Sequence, residues 1–292
     1  NGNRNLRAFD NIHTDQDVGK ISGILANGSG TSQLRKQGNA SIHAGTLWLT
    51  GTNTYTGNTW IDQGTIRAID GVGLPADSRL TFEVDNNGFP CSFESKGSFT
   101  RDTGTGATNV YWQGQGGFAA WGGPLTVDLD GAGTSTELTW NLGVGGFRGQ
   151  PLLMGSRTAN DVVDMVDDIH LNGNRDIYVF DNPHSDSDAS VFSGNIRDNG
   201  NNNLQIYRDG VLKLNGTNTY RKLYINNTAK VYINGTHNSA GLLEVRNNQG
   251  GTIGGSGSIT IGTFSVRDQD TLAPGDAGPG TLTTAVSAAE GL

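Results

Sequence analysis

The chain has one cysteine, seven prolines, few charges and no long apolar run. Each shortage excludes something. Cys91 alone cannot close an internal disulfide, so no covalent staple supports the fold; its neighbours Phe89 and Phe93 mark it as a packing residue. No stretch of 18 apolar residues occurs, so no helix can cross a membrane. Charged residues make up 16% and the net charge is −8. No basic stripe is present, which excludes nonspecific nucleic-acid binding and docking on an anionic membrane surface. Gly-x-Ser-x-Gly, phosphate-loop and HExxH motifs are missing. Hydrophobic content of 34% is low for a compact globule. The first residue is Asn1, which points to a removed signal peptide or to a fragment.

What the chain does have is 45 glycines, without the Gly-X-Y period of collagen, and many short segments of period two. Leu47 and Leu49 alternate with polar neighbours, as do Leu125, Val127 and Leu129. Leu223 and Ile225, Val231 and Ile233, Ile259 and Ile261, and Phe264 and Val266 follow the same pattern. Gly, Asn or Asp turns the chain after two or three apolar positions, which predicts short strands. One helix candidate, residues 160–169, carries Val162, Val163, Met165, Val166 and Ile169. Its β-branched content makes a strand pair an equal reading.

The chain also repeats itself. Asn1-Gly2-Asn3-Arg4 returns as Asn172-Gly173-Asn174-Arg175, and Phe9-Asp10-Asn11 as Phe180-Asp181-Asn182. Gly51-Thr52-Asn53-Thr54-Tyr55 returns as Gly216-Thr217-Asn218-Thr219-Tyr220. The spacing divides the chain into one long unit, 1–171, and a second, truncated unit, 172–292, continuous with it. Self-similarity of this kind is the signature of stacked architectures.

Gly45, Leu47, Leu49, Gly51, Asn53, Thr54, Tyr55, Thr56, Gly57, Thr59, Ile61, Gly64, Thr65 and Ile66 together resemble the autotransporter-associated β-strand repeat. Leu212, Leu214, Gly216, Asn218, Thr219 and Tyr220 keep part of that pattern. Arg221-Lys222 then stands where the first copy has Thr56-Gly57. The resemblance implies an all-β, right-handed parallel β-helix (β-solenoid) with long loop insertions, exposed outside the cell, whose repeat carries no catalytic set.

Candidate sites follow from residue chemistry. Asp15 and Asp17, with Asp186 and Asp188, recur beside His13 and His184; Asp128 and Asp130 precede Gly131. Oxygen-rich clusters of this type suit calcium, although none completes a known Ca²⁺ loop, and Asp in a solvated turn is the alternative. Neither histidine has a second ligand at metal spacing. Asp161, Asp164, Asp167 and Asp168 lie in one linear run that reads as a solvated edge. Trp48, Tyr224 and Tyr232 fall between inward positions and are expected to face outward, as an interface or a ligand-stacking surface. Trp60, Trp112, Trp121 and Trp140 can add to such a stacking face for glycan or a neighbouring subunit; cover of the aromatics by long loops is the alternative.

These readings lead to a non-enzymatic, extracellular structural protein, a subunit or segment of a surface fibre or surface layer. Its partners are expected to be further copies of itself, in head-to-tail or lateral contact through open strand edges. The alternative is an adhesin binding surface glycans or a protein through outward aromatics and the segment 85–150. A polysaccharide-degrading β-helix enzyme is a third reading. No cofactor is expected beyond possible calcium, and no membrane insertion.

Overall fold

The computed structural model describes residues 3–8, 17–38, 45–83, 91–131, 137–141, 149–246, 249–276 and 278–287. Among these there is no α-helix. The helix candidate forms two strands, Val162–Met165 and Ile169–His170. Val162 and Val163, both β-branched, and Met165 fit a pleated surface better than a helical stripe.

All strand-to-strand ladders are parallel. Arg4–Arg7, Leu34–Gln37, Thr59–Ile61, Leu80–Phe82 and Val110–Trp112 pair in that order in a five-stranded sheet. A second series runs Val18–Ile21, Thr46–Leu49, Gly64–Ala68, Cys91–Thr100 and Gly116–Asp128. The last of these branches. Its first half, Gly116 to Phe118, pairs with Leu152–Met154; its second half, Leu125 to Val127, pairs with Val162–Met165. Gly122 (φ 71°) and Gly123 (φ 147°) make the bend between the halves, where the register shifts. A side chain at either position would be strained in that backbone conformation. Both branches continue to the C-terminal strands, and the whole system closes into one all-parallel barrel sheet. Sheets of three and four strands complete the fold.

This corrects the reading as an open right-handed β-solenoid with long loop insertions. The segment read as an insertion contains the two longest strands, Cys91–Thr100 and Gly116–Asp128, with 10 and 13 residues. Strands that long reach across two ladders and join them. Head-to-tail or lateral assembly of copies rested on an open-ended solenoid, and with the sheet closed that argument falls. The structural reading as a fibre or surface-layer subunit falls with it.

Partner strands lie close in sequence: Leu204 pairs with Leu223, and Leu223 with Leu243, 19 and 20 residues on (223 − 204, 243 − 223). Inward residues stack along these ladders as Leu204, Leu223, Leu243 and Phe264, each of the first three fully buried. The repeated asparagines tie neighbouring layers together. Asn53 accepts from Leu25 N (2.8 Å) and donates to Gly73 O (2.7 Å). Asn218 accepts from Ile196 N (3.1 Å) and donates to Gly216 O and Thr236 O (3.2 Å each). Each satisfies main-chain groups that the turns leave open.

One part of the core is aromatic. Phe118 meets Phe99 at 5.0 Å, Phe82 at 5.8 Å and Trp112 at 5.9 Å between ring centroids. Phe82, Phe93, Phe99 and Phe118 are all fully buried. Phe118→Ala is expected to destabilise the chain by about 3–5 kcal/mol, measured by urea unfolding, because the ring leaves a cavity that these neighbours only partly fill.

A second core feature is polar. His237 is buried against Tyr220, ring centroids 4.7 Å apart, and neither its two nitrogens nor the Tyr220 hydroxyl has a hydrogen-bond partner. Burial pushes the His237 imidazole down to about 4. The unfolded chain takes up the proton near pH 6.5 and the folded chain only near 4. Stability from this group is therefore complete above pH 6.5 and falls as the pH drops toward 4, by on the order of 3 kcal/mol. His237→Leu is expected to flatten that acid limb in a series of denaturation midpoints, losing about one proton of linkage.

Candidate functional site

Two clusters of chemically capable side chains lie on the long strands. The first surrounds Trp48 and Trp121. Trp48 lies in Thr46–Leu49 between Leu47 and Leu49, both buried, so alternation turns its ring outward. Trp121 sits where Gly116–Asp128 begins to bend. The two rings meet edge to face at 4.9 Å, each half-buried. The Arg67 guanidinium packs on the Trp121 ring at 4.1 Å and lies 5.8 Å from that of Trp48. Lys20 covers Trp48 at 4.5 Å.

Arg67 is held from below. Its Nε donates to Glu94 Oε2 at 2.6 Å, and Glu94 is fully buried. Glu94 Oε1 accepts from the hydroxyls of Ser156 and Thr158. Arg67 Nη2 donates to Thr158 O (3.3 Å), and Thr158 Oγ1 is 3.0 Å from Thr46 Oγ1. A buried ion pair with its remaining oxygen satisfied is fixed in place. A cleft of about 600 Å³ opens beside it, lined by Arg67, Trp121, Thr158, Asn160, Asn182 and His184. A smaller hollow of about 180 Å³ between Trp48, Trp121 and Lys96 shares Arg67 and Trp121 with it. Aromatic faces next to convergent polar groups form the usual lining of a small-molecule site.

The second cluster is carboxylic. Asp128 ends the strand Gly116–Asp128, Asp130 follows two residues later, and Asp167 comes just after Val162–Met165. The register Leu125 with Val163 carries Asp167 to the other two. One oxygen from each of the three lies within 4.8 Å of the others. Asp167 is buried and accepts from Leu129 N (2.9 Å) and Asp130 N (3.1 Å). Burial, with the charges of Asp128 and Asp130 adding to it, pushes the Asp167 carboxyl up to about 7. Burial, then the bond to Asp130 and its charge, also raise Asp128. Asp128 Oδ1 is enclosed without a partner. Three hard oxygens at this spacing, one of them orphaned, can chelate a divalent ion. Nearby is a hollow of about 430 Å³ lined by Asp70, Thr100, Arg101, Asp102 and Gly131.

The remaining sequence candidates are placed apart from these clusters. Asp15 and His13 lie outside the described residues. Asp17 and Asp186 are exposed, and Asp188 is buried, accepting from Asn182 N at 2.9 Å. Among the described residues, none of these joins a cluster able to hold a metal. Asp186 and His184 do line the larger cleft. Tyr224 is only 7% exposed, with the Arg246 guanidinium 3.1 Å above its ring. Tyr232 lies against Gly254, and neither tyrosine meets Trp48 in a ring contact among the described residues. Sequence reading offered Trp121 as one of several stacking aromatics without placing it beside Trp48, and missed Arg67, Glu94 and the part Asp167 plays. No local spacing signals these arrangements; all depend on which strands become neighbours.

No family model, curated protein or solved structure matches the chain. The resemblance to the autotransporter-associated repeat therefore has no support in family comparison, and the closed sheet speaks against it. The expectation of a protein without enzyme-like machinery is corrected too. Asp128, Asp130 and Asp167 form a carboxylate set able to ligate a metal, on a barrel whose core includes a cluster of aromatic rings.

The raised Asp167 carboxyl sets a sign for pH. Its own contribution to stability is complete below pH 3.8 and is lost as the pH rises through about 7, where a buried charge appears. A bound cation reverses that loss by replacing the proton. Millimolar Ca²⁺ or Mg²⁺ is expected to raise the melting temperature at pH 8 by several degrees and to do little at pH 5. In Asp167→Asn the increment should vanish; thermal melts with and without chelator measure it.

Proposed function

We propose that this chain is a saccharide-binding protein that works outside the cell, and that the aromatic cleft at Trp48, Trp121 and Arg67 is its binding site. One observation carries the reading: two half-buried tryptophans meet at the junction of two hollows, fixed by a buried Arg67–Glu94 pair. Indole faces stack on the C–H faces of sugar rings, and the side chains of Thr158, Asn160 and Ser185 offer partners to hydroxyl groups. An extracellular setting is consistent with the acidic composition and the low apolar content.

The carboxylate cluster plays a supporting part in this reading. Asp128, Asp130 and Asp167 hold Ca²⁺, whose flexible oxygen coordination tolerates ligands from a turn and a neighbouring strand. The ion fixes the far end of the same long strand that carries Trp121.

A glycan array followed by titration calorimetry tests the assignment. Wild-type protein is expected to bind a subset of oligosaccharides saturably, and Trp121→Ala to lose about ten-fold or more in affinity. An unchanged thermal melt would show that the fold survives the substitution. Equal affinities would remove the cleft from the reading.

One observation favours a second reading, hydrolysis at the carboxylate cluster: Asp167 is held near 7, where a carboxyl can donate a proton at neutral pH. Release of new reducing ends from a polysaccharide, abolished by Asp167→Asn, would move the function there.

A further inference from the structure

We propose that the aromatic cleft selects anionic saccharides, chains whose sugar rings carry carboxylate groups, over neutral ones. The inference rests on the saccharide-binding reading and adds the ligand's charge to it.

The charge around the cleft opposes that of the chain. The chain as a whole carries −8. Around the two tryptophans stand three cations, Lys20 over Trp48, Arg67 over Trp121, and Lys96 in the wall of the smaller hollow. Among the described residues lining that hollow, Glu94 is the carboxylate. It is fully buried, and its oxygens are taken by Arg67, Ser156 and Thr158. The side facing a ligand is therefore basic and aromatic. Lys20 and Lys96 are exposed, and the hydrogen bond from Lys96 to Gly122 O is long at 3.4 Å. Surface ammonium groups of this kind add little to stability. Held beside an aromatic face, they gain from an anion that arrives with a ring to stack.

The geometry favours a ring-borne carboxylate over a free anion. Among the described residues there is no α-helix, so no helix N-terminus among them faces the hollow, and the cations at its rim are side chains. The ring stacks on indole while the carboxylate reaches Lys96 or Lys20. Because the two hollows share Arg67 and Trp121, a chain of more than one sugar can lie across both. Asp186, an acidic residue lining the larger hollow, is exposed, and His184 and Ser185 line the same hollow. One end of the path is thus cationic and the other mixed, which gives the ligand a direction.

The test compares a short oligouronate with the same oligosaccharide after reduction of its carboxylates to alcohols, by calorimetry on the whole chain. The oligouronate is expected to bind about ten-fold or more tightly, with an affinity that falls as salt rises. The double variant Lys20→Gln, Lys96→Gln is expected to lose the preference and to bind the two ligands with similar affinity. Equal binding of the two ligands by the wild type would overturn the inference and leave the saccharide reading standing. So would a preference that survives in the double variant. Inorganic polyphosphate binding as tightly as the oligouronate would show a site for anions in general, and also overturns it. Binding of neither saccharide would defeat the underlying reading itself.

Discussion

Everything in this molecule hangs on main-chain hydrogen bonds made from one strand to the next, parallel, layer. A parallel sheet of short strands has no tight hairpins to hold it, so each connection must close a turn whose own N–H and C=O groups need partners. Glycine-rich corners allow the backbones to approach, and Asn53 and Asn218 fill the gaps with side-chain amides. Once layers are tied in this way, alternate side chains stack in columns and the core follows. Leucine, isoleucine and phenylalanine need only be present at every second position; the ladder decides what they touch.

Much of that logic can be read directly from the residues. Leu47 with Leu49, Leu223 with Ile225, and Val231 with Ile233 are strands because their period is two and a turn residue follows. Leu125 and Val127 mark the second half of Gly116–Asp128 in the same way, but Cys91–Thr100 and the first half of Gly116–Asp128 could not be read so. Glu94, Ser95 and Lys96 look like loop, and so does a run of glycines ending in Pro124. Glu94 is tolerated in the sheet because Arg67, Ser156 and Thr158 arrive from elsewhere to satisfy it. Local sequence contains no trace of those partners. Missing the long strands meant missing the closure of the sheet.

The candidate sites divide along the same line. Asp128 and Asp130 are visible as a pair because a single residue separates them. Asp167 reads as one more acid in an exposed run, and only the pairing of Leu125 with Val163 shows it to be the buried third member. Trp48 can be seen to face outward; that Trp121 meets it, and that Arg67 lies on the second ring, follows from the order of strands. Both sites lie on Gly116–Asp128, one beside its bend and the other at its end. That strand is also the one that joins the two ladders, so the element that closes the sheet is the element that carries the chemistry.

The segment 155–160 gives this arrangement a history. Most strands find their partners among the next few dozen residues, and loops of that size close at modest entropic cost. A chain emerging residue by residue can add each strand to the one before it. The bonds from Ser156 and Thr158 are different: they span 62 and 64 residues back to Glu94, and 112 back to Thr46. They cannot exist until the chain has grown past residue 158 and doubled back over layers already made. The cleft is therefore the last part of its neighbourhood to be completed, and a nascent chain that stops short has the tryptophans without the floor that holds them.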